Sequence, residues 1–136
     1  MNVMMGNNLL PAVQIGLVDD HASFRRALGR LLRSHGYRYI PYDCAESALA
    51  DPEFLKMDCL ILDIELRDMD GFQLRDHLWK IGATIPHIFV TGHTESDFPN
   101  WAAQIGDSPF LVKPVEEQQL FSLIDKLLRN SRLQNG

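Results

Sequence analysis

The sequence predicts an α/β fold in which a doubly wound, five-stranded parallel sheet is covered by helices on both faces. Four short runs of almost uninterrupted apolar residues recur along the 136-residue chain, as strands buried on both faces require. Segments with the helical spacing of apolar residues separate these runs, so strands and helices alternate. Because crossovers between parallel strands are right-handed, such a series folds into an open sheet with helices on both sides.

The strand prediction depends on the apolar runs and on one weaker segment. Cys59 opens one of the strong runs and is expected to be a small buried hydrophobe. The weaker segment contains Pro41 and lies between the first two strong runs. In chain order, the predicted strands are 15–18, 38–42, 59–62, 87–90 and 110–112.

Five helices are predicted between and after these strands. The first has apolar residues at i, i+3, i+4, i+7 and i+8, and it ends near Gly36, a residue that suits the position after a helix. The second is predicted to begin at a capping box of Asp43 and Glu46 and to end before Pro52. The remaining helices are predicted at 72–78, 99–106 and 116–132.

Composition indicates one globular domain, with a mobile lead-in at 1–12, the domain at 13–132 and a tail at 133–136. Hydrophobic residues make up 46% of the chain and charged residues 23%, as in ordinary globular proteins. The net charge of −5, with no basic cluster longer than Arg25-Arg26, disfavours direct binding of nucleic acid. No apolar run reaches the roughly 20 residues of a membrane helix, so we expect a cytoplasmic protein without membrane contact.

Polar residues terminate four of the five predicted strands. They are Asp19 and Asp20, Asp63, Thr91 and Lys113. Ligands bind outside the carboxyl ends of the strands in such sheets, so these side chains are expected to converge. Three carboxylates repel one another, and a hard divalent cation, Mg²⁺ for oxygen ligands, would relieve the repulsion. The simpler alternative is that Asp19 or Asp20 only caps the first helix.

These residues resemble the motifs of the receiver domain of two-component response regulators. The matching motifs are Val18-Asp19-Asp20, Leu62-Asp63, Met69-Asp70-Gly71, Val90-Thr91-Gly92 and Lys113-Pro114. They occur in the family's order, with similar spacing, and the resemblance covers about residues 13 to 130. It implies a flavodoxin-like receiver fold, (βα)₅, and a phosphorylation-dependent switch of a two-component or phosphorelay system.

The resemblance also implies a role for each polar residue. It makes Asp63 the phosphoacceptor for a sensor histidine kinase or a histidine phosphotransfer protein, with Thr91 and Lys113 in contact with the phosphoryl group. It assigns Mg²⁺ binding to Asp19, Asp20, Asp63 and the backbone carbonyl of Glu65. Self-phosphorylation and slow autodephosphorylation are then expected, without the activity of a metabolic enzyme. The peptide bond before Pro114 is usually cis in this family, and the sequence leaves its state open.

Phe110 takes the place of the family's aromatic switch residue. Movement of Thr91 toward the phosphoryl group would vacate space that Phe110 fills. The surface of the fourth helix, fifth strand and fifth helix would then change. This surface is the expected contact for a downstream target, an effector domain or a second copy in a homodimer. Trp101, on the fourth helix, is favoured over Trp79 as the partner-facing tryptophan. The alternative is that Phe110 is a fixed core residue.

Other positions near the acceptor depart from the family pattern or carry a second interpretation. Arg67 occupies a loop in which the family usually has a proline. Glu65 and His93 are expected to flank the attacking water and to tune the lifetime of the phosphoryl group, although His93 could also be a solvated loop residue without a role. His21 follows the acidic pair and could be a metal ligand, but an exposed residue at the start of the first helix is the favoured interpretation.

Two other functions compete with the switch. The first is an unphosphorylated pseudo-receiver scaffold, which is disfavoured because all five polar site residues are present. The second is an aspartyl-phosphate phosphohydrolase, in which a second aspartate would stand at the position of Glu65. The chain after Lys113 has room for one helix and a short tail, so the sequence predicts either a stand-alone receiver or one excised from a longer regulator.

Overall fold

The computed structural model describes the backbone of residues 2–5, 8–92 and 98–135 and the side chains of residues 12–92 and 101–131. The strands are β1 Asn2–Met5, β2 Asn8–Pro11, β3 Gln14–Val18, β4 Arg38–Tyr42, β5 Cys59–Asp63, β6 His87–Thr91 and β7 Phe110–Val112. The helices are α1 Ala22–Ser34, α2 Ala45–Ala50, α3 Gly71–Lys80, α4 Phe98–Ile105 and α5 Glu117–Asn135, with a 3₁₀ turn at Pro52–Lys56.

The predicted five-stranded parallel sheet is confirmed. Its strand order is β4-β3-β5-β6-β7, so the chain first moves outward from β3 to β4 and then returns to β5 on the other side. All five residues of β5 are buried at the centre of the sheet, which agrees with its apolar sequence. The direction of strand order reverses between β3 and β5, and the crevice at that point is the expected ligand site.

Two apolar clusters pack the helices onto the two faces of the sheet. On one face, Leu62 and Phe89 pack against α2, α3 and α4. On the other, Ile61 and Val90 pack against α1 and α5. Cys59 is fully buried, as predicted. No described helix is long and apolar enough to cross a bilayer.

The two tryptophans differ from the expectation that Trp101 faces partners. Trp101 is 8% exposed and belongs to the core under α4, whereas Trp79 on α3 is 51% exposed. Trp101 packs edge-on against Phe110, with ring centroids 5.6 Å apart. The indole of α4 is therefore a core residue, since its ring fills the space between the helix and the sheet.

Helix α2 begins one residue later than predicted. Its N-cap is Cys44, whose Sγ accepts a hydrogen bond from the backbone N–H of Ser47 at 3.4 Å. The prediction that Asp43 caps this helix is wrong, because the Asp43 carboxylate instead accepts a hydrogen bond from the Ser47 hydroxyl at 3.2 Å.

The N-terminal segment contains regular structure that the sequence analysis did not predict. Strands β1 and β2 pair antiparallel, with Val3 opposite Leu10 and Met4 opposite Leu9. Between the two short runs, the sequence has Gly6-Asn7, a dipeptide that favours two-residue hairpins. The Gly6-Asn7 dipeptide between two short runs was therefore the sequence feature that could have predicted this strand pair.

Candidate functional site

The site lies where β3 and β5 end side by side. Val18 pairs with Leu62 in the parallel ladder, so the residues that follow these strands share one edge of the sheet. Asp19 is 1% exposed and Asp63 is 2% exposed, whereas Asp20 is half-buried. The structure thus brings the three predicted carboxylates together in a crevice with little access to solvent.

The buried carboxylates are held by a small number of donors. Asp19 accepts hydrogen bonds from the backbone N–H of His21 at 2.7 Å and from Lys113 Nζ at 2.8 Å. Asp63 Oδ1 accepts one from the backbone N–H of Glu65 at 3.0 Å. Asp63 Oδ2 is buried and has no hydrogen-bond partner among the described residues. Of the lysine and arginine side chains that the structure describes, the nearest to this oxygen is that of Lys113, with Nζ 3.7 Å away.

This environment shifts the acid–base equilibrium of Asp63. Burial, with smaller contributions from the charges of Asp19 and Asp20, raises the pKa of Asp63 to about 6, although the hydrogen bond from the Glu65 N–H and the Lys113 ammonium oppose the shift. Desolvation and neighbouring like charges both disfavour the carboxylate form. The folded chain therefore holds this carboxylate at an electrostatic cost.

The donor set fits a divalent cation. One ligand atom each from Asp19, Asp20, His21 and Asp63 lies within 4.8 Å of the others. Two carboxylate oxygens in this group, Asp20 Oδ1 and Asp63 Oδ2, are buried without a hydrogen-bond partner in the described part of the chain. Buried oxygens of this kind are stabilised by metal coordination. The residues present are thus suited to Mg²⁺.

Lys113 reaches the same crevice from the other half of the sheet, and Thr91 lies beside it in the backbone ladder. Thr91 ends β6 and is fully buried, and its carbonyl accepts a hydrogen bond from the backbone N–H of Lys113 at 2.7 Å. Lys113 Nζ lies 4.0 Å from the centroid of the Phe24 ring, so an aromatic face and the Asp19 carboxylate together fix the ammonium group. The Lys113–Pro114 peptide bond is cis.

Helix α3 contributes to the site through its first residue. The backbone N–H of Gly71 donates to the carbonyl of Ile64 at 3.1 Å, and a Cβ at Gly71 would collide with the carbonyl oxygen of Asp63. Asp70 and Gln73 form a capping box at this helix start. The helix therefore approaches the end of β5 more closely than any residue with a side chain would permit.

Phe110 lies on the same sheet face as Thr91. It pairs with Phe89 in the β6–β7 ladder, and Phe89 and Thr91 point to the same side because strand side chains alternate. Phe110 is half-buried and contacts the cluster that contains Trp101. Thr91 and Phe110 thus share the face of the sheet that α4 covers, and Phe110 contacts Trp101 under that helix.

Two basic residues that the sequence analysis did not include in the site lie beside Asp20. His21 Nδ1 is 3.1 Å from Asp20 Oδ1, and Arg67 Nε is 3.8 Å from Asp20 Oδ2. Asp68, which follows Arg67, has a φ of 62°, an uncommon conformation for a residue with a side chain. His21 directly follows Asp20 in the sequence, and this adjacency was the signal that could have placed its side chain beside the pocket.

Of the two residues predicted to tune the lifetime of the phosphoryl group, Glu65 and His93, the structure describes only Glu65. Glu65 lines a cleft of about 410 Å³ together with His21, Phe24, Asp63 and Lys113. His93 lies outside the described residues. The role of both residues in phosphoryl lifetime stays a prediction.

Comparisons with known proteins agree with this geometry. The profile of the response regulator receiver domain matches residues 15–125. Response regulator protein TmoT of Ectopseudomonas mendocina is 34% identical over 85% of this chain and 52% of its own length. Transcriptional regulatory protein GlrR of Escherichia coli (strain K12) is 33% identical over 85% of this chain and 26% of its own. The structure of response regulator StyR has a TM-score of 0.77 and 34% identity, covering 91% of this chain and 64% of the StyR chain.

Proposed function

The chain belongs to the response regulator receiver domain family of two-component systems, and we propose that it is a switch operated by phosphorylation of Asp63. The observation that carries this proposal is the state of Asp63 Oδ2. This oxygen is buried, has no hydrogen-bond partner among the described residues and lies 3.7 Å from the Lys113 ammonium. A nucleophile needs a free lone pair and a nearby positive charge for the incoming phosphoryl group.

The donor in this proposal is a phosphohistidine of a sensor histidine kinase or a histidine phosphotransfer protein. Asp63 Oδ2 attacks phosphorus, the new P–O bond forms as the P–N bond breaks, and the imidazole leaves with the electron pair. Catalysis of such a transfer consists mainly of positioning and charge neutralisation. When bound by Asp19, Asp20, Asp63 and the Glu65 carbonyl, Mg²⁺ supplies positive charge for the phosphoryl oxygens.

Lys113 and Thr91 supply the remaining contacts in the proposed phosphorylated state. Phosphorylation occupies the Oδ2 position, and the Lys113 ammonium, now 2.8 Å from Asp19, has a second anion to pair with. The Thr91 hydroxyl donates to a phosphoryl oxygen and moves toward it. Water later hydrolyses the acyl phosphate, which makes the signal transient.

The output in this proposal passes from Thr91 to Phe110. Both side chains lie on the face of the sheet that α4 covers, and Phe110 packs against Trp101. Displacement of Thr91 lets Phe110 turn inward, which changes the surface formed by α4, β7 and α5. This surface is our proposed contact for a downstream protein, an effector domain or a second copy of the chain, and we place the protein in the cytoplasm with its kinase.

Phosphate incorporation tests the proposal directly. The protein is incubated with acetyl phosphate and Mg²⁺, and its intact mass is recorded. We expect the mass increase of one phosphoryl group in wild type and none in Asp63→Asn or in the presence of a chelator. Asp107→Asn, a change at an exposed loop aspartate, serves as the matched control and should match wild type. Equal incorporation by Asp63→Asn, or none by wild type, would contradict the proposal, and the second result would favour the scaffold.

A further inference from the structure

The imidazole of His21 faces the acidic pocket and not the helix that it precedes. His21 is the N-cap residue of α1, yet its side chain makes no capping hydrogen bond. Its Nδ1 lies 3.1 Å from Asp20 Oδ1, 3.4 Å from Asp19 Oδ1 and 3.9 Å from Asp63 Oδ2. Residues such as Ser, Thr, Asn or Asp stabilise this position through capping, so the helix gains nothing from a histidine here.

These distances correspond to those between ligands of one metal ion. Metal–ligand bonds of 2.1 Å place adjacent octahedral ligands about 3.0 Å apart and opposite ligands about 4.2 Å apart. The separation of His21 Nδ1 from Asp20 Oδ1 matches an adjacent pair, and Asp63 Oδ2, the proposed nucleophile, lies 3.9 Å from the same nitrogen. We propose that His21 is a nitrogen ligand of the ion bound in this pocket and sets its metal preference.

A second observation points to a ligand at this position. Asp63 is 2% exposed, and its Oδ2 has no hydrogen-bond partner among the described residues. On the opposite side, Lys113 pairs with Asp19 and lies 3.7 Å from the same Oδ2. The oxygen thus lies within 4 Å of both a lysine ammonium and an imidazole nitrogen. Of these two nitrogens, only that of the imidazole has a lone pair for a metal.

The preference follows from the chemistry of the ligand set. Mg²⁺ selects oxygen ligands, whereas imidazole favours later divalent metals such as Fe²⁺, Ni²⁺ and Zn²⁺. His21 is 66% exposed, so its ring lies on the open side of the pocket and is accessible to an entering ion. A pocket of three carboxylates and one imidazole therefore binds these metals more tightly than a pocket of oxygens alone. This inference rests on the metal pocket of the proposed function.

Metal affinities of untagged wild type and two variants test it. Dissociation constants for Ni²⁺ and Mg²⁺ are measured by calorimetry at one fixed pH. We expect His21→Gln to weaken Ni²⁺ binding by roughly tenfold or more, the range seen when groups supporting a metal site are removed, and to change Mg²⁺ binding far less. His77→Gln, at an exposed histidine of α3, is the matched control and should leave both constants unchanged.

A spectroscopic measurement separates coordination from an ion pair between His21 and Asp20. Mn²⁺ bound to wild type should show electron spin-echo modulation from a directly bonded ¹⁴N, and His21→Gln and His21→Ala should lose it. Absence of this modulation in wild type, or an equal loss of Ni²⁺ and Mg²⁺ affinity in the variants, would overturn the role of His21 while leaving Asp63 phosphorylation intact. Failure of wild type to bind any of the three metals would overturn the pocket as a whole.

Discussion

Asp63 combines burial with the proximity of two other carboxylates, and this combination determines how the metal-free domain responds to pH. Burial raises the pKa of Asp63 to about 6, whereas an unfolded aspartate titrates near pH 3.9. The folded state therefore binds this proton more tightly than the unfolded state does. Ionisation of Asp63 therefore lowers the free energy of unfolding as the pH rises from about 4 to about 6. Above that range, the contribution of Asp63 is constant.

The first prediction is that Asp63→Asn stabilises the metal-free protein at neutral pH. An amide of similar shape removes the buried charge, and the gain should be about 3 kcal/mol at pH 7.5. The gain should shrink toward zero near pH 4, where wild type is protonated. Urea unfolding of both proteins between pH 4 and pH 8 measures it. A gain that does not depend on pH would contradict the assigned cause.

The second prediction concerns Asp20 and Mg²⁺. Binding of Mg²⁺ to the folded state should raise the unfolding free energy by about 1.4 kcal/mol when the ion is at ten times its dissociation constant. Asp20→Ala removes an oxygen of the pocket and should abolish most of this gain at millimolar Mg²⁺. Thermal unfolding at several Mg²⁺ concentrations measures both. Identical Mg²⁺ responses of wild type and Asp20→Ala would exclude Asp20 as a ligand.

Among the structural elements, the start of α3 fixes the end of β5. Gly71 is the contact point, since a Cβ there would meet the carbonyl oxygen of Asp63. The capping box of Asp70 and Gln73 holds the helix in this place. The position of the acceptor therefore depends on a residue that takes no part in the chemistry.

The third prediction is that Gly71→Ala destabilises the fold by about 1–3 kcal/mol, the usual cost of overpacking, and slows phosphorylation by acetyl phosphate. Gly92→Ala is the control for stability, because its Cβ would meet Lys113 Cδ at an ordinary 3.9 Å. Its effect should stay within about 1 kcal/mol. Urea unfolding tests the difference between the variants, and equal stabilities would contradict the close approach of α3.

The sequence predicts the elements of the sheet well because their signals are local and strong. Buried strands such as β5 have no polar residue before their carboxyl end, which identifies the strand and places its end within one residue of the observed Asp63. The N-cap of α2 was mispredicted because two neighbouring residues, Asp43 and Cys44, both accept hydrogen bonds from Ser47. The Ser47 hydroxyl bonds to Asp43, which leaves the Ser47 backbone N–H to Cys44. The pairing of β1 with β2 was missed because its runs are short and lack alternation.

At the scale of the whole molecule, the strand order explains why the pocket residues could be predicted from sequence. Strands β3 and β5 are adjacent, so polar residues at their ends must meet. The roles of Asp63, Thr91 and Lys113 in phosphoryl transfer stay predictions until measured. The orientation of the His21 ring could not be predicted, because nothing in the sequence indicates whether an N-cap side chain turns to its helix or to a neighbouring carboxylate.

In our proposal, the pocket and the output surface are linked across one face of the sheet. Phe110 and Thr91 share this face, and Trp101 under α4 contacts Phe110. Packed interiors shift between discrete arrangements, so we propose that a small displacement of Thr91 is transmitted to α4 and α5. The central claim is therefore that occupation of the Asp63 site changes the surroundings of Trp101.

The most direct measurement is an NMR comparison of the protein with Mg²⁺ before and after addition of beryllofluoride, a mimic of the phosphoryl group. We predict shifts around Asp63, at Phe110 and along α4 and α5, including the Trp101 indole N–H. The Trp79 indole, which packs against Arg75 and His87 at the amino end of β6, should change little, and Asp63→Asn should show no change at either indole. Shifts confined to the residues around Asp63 and Lys113, with an unchanged Trp101 indole, would contradict the account.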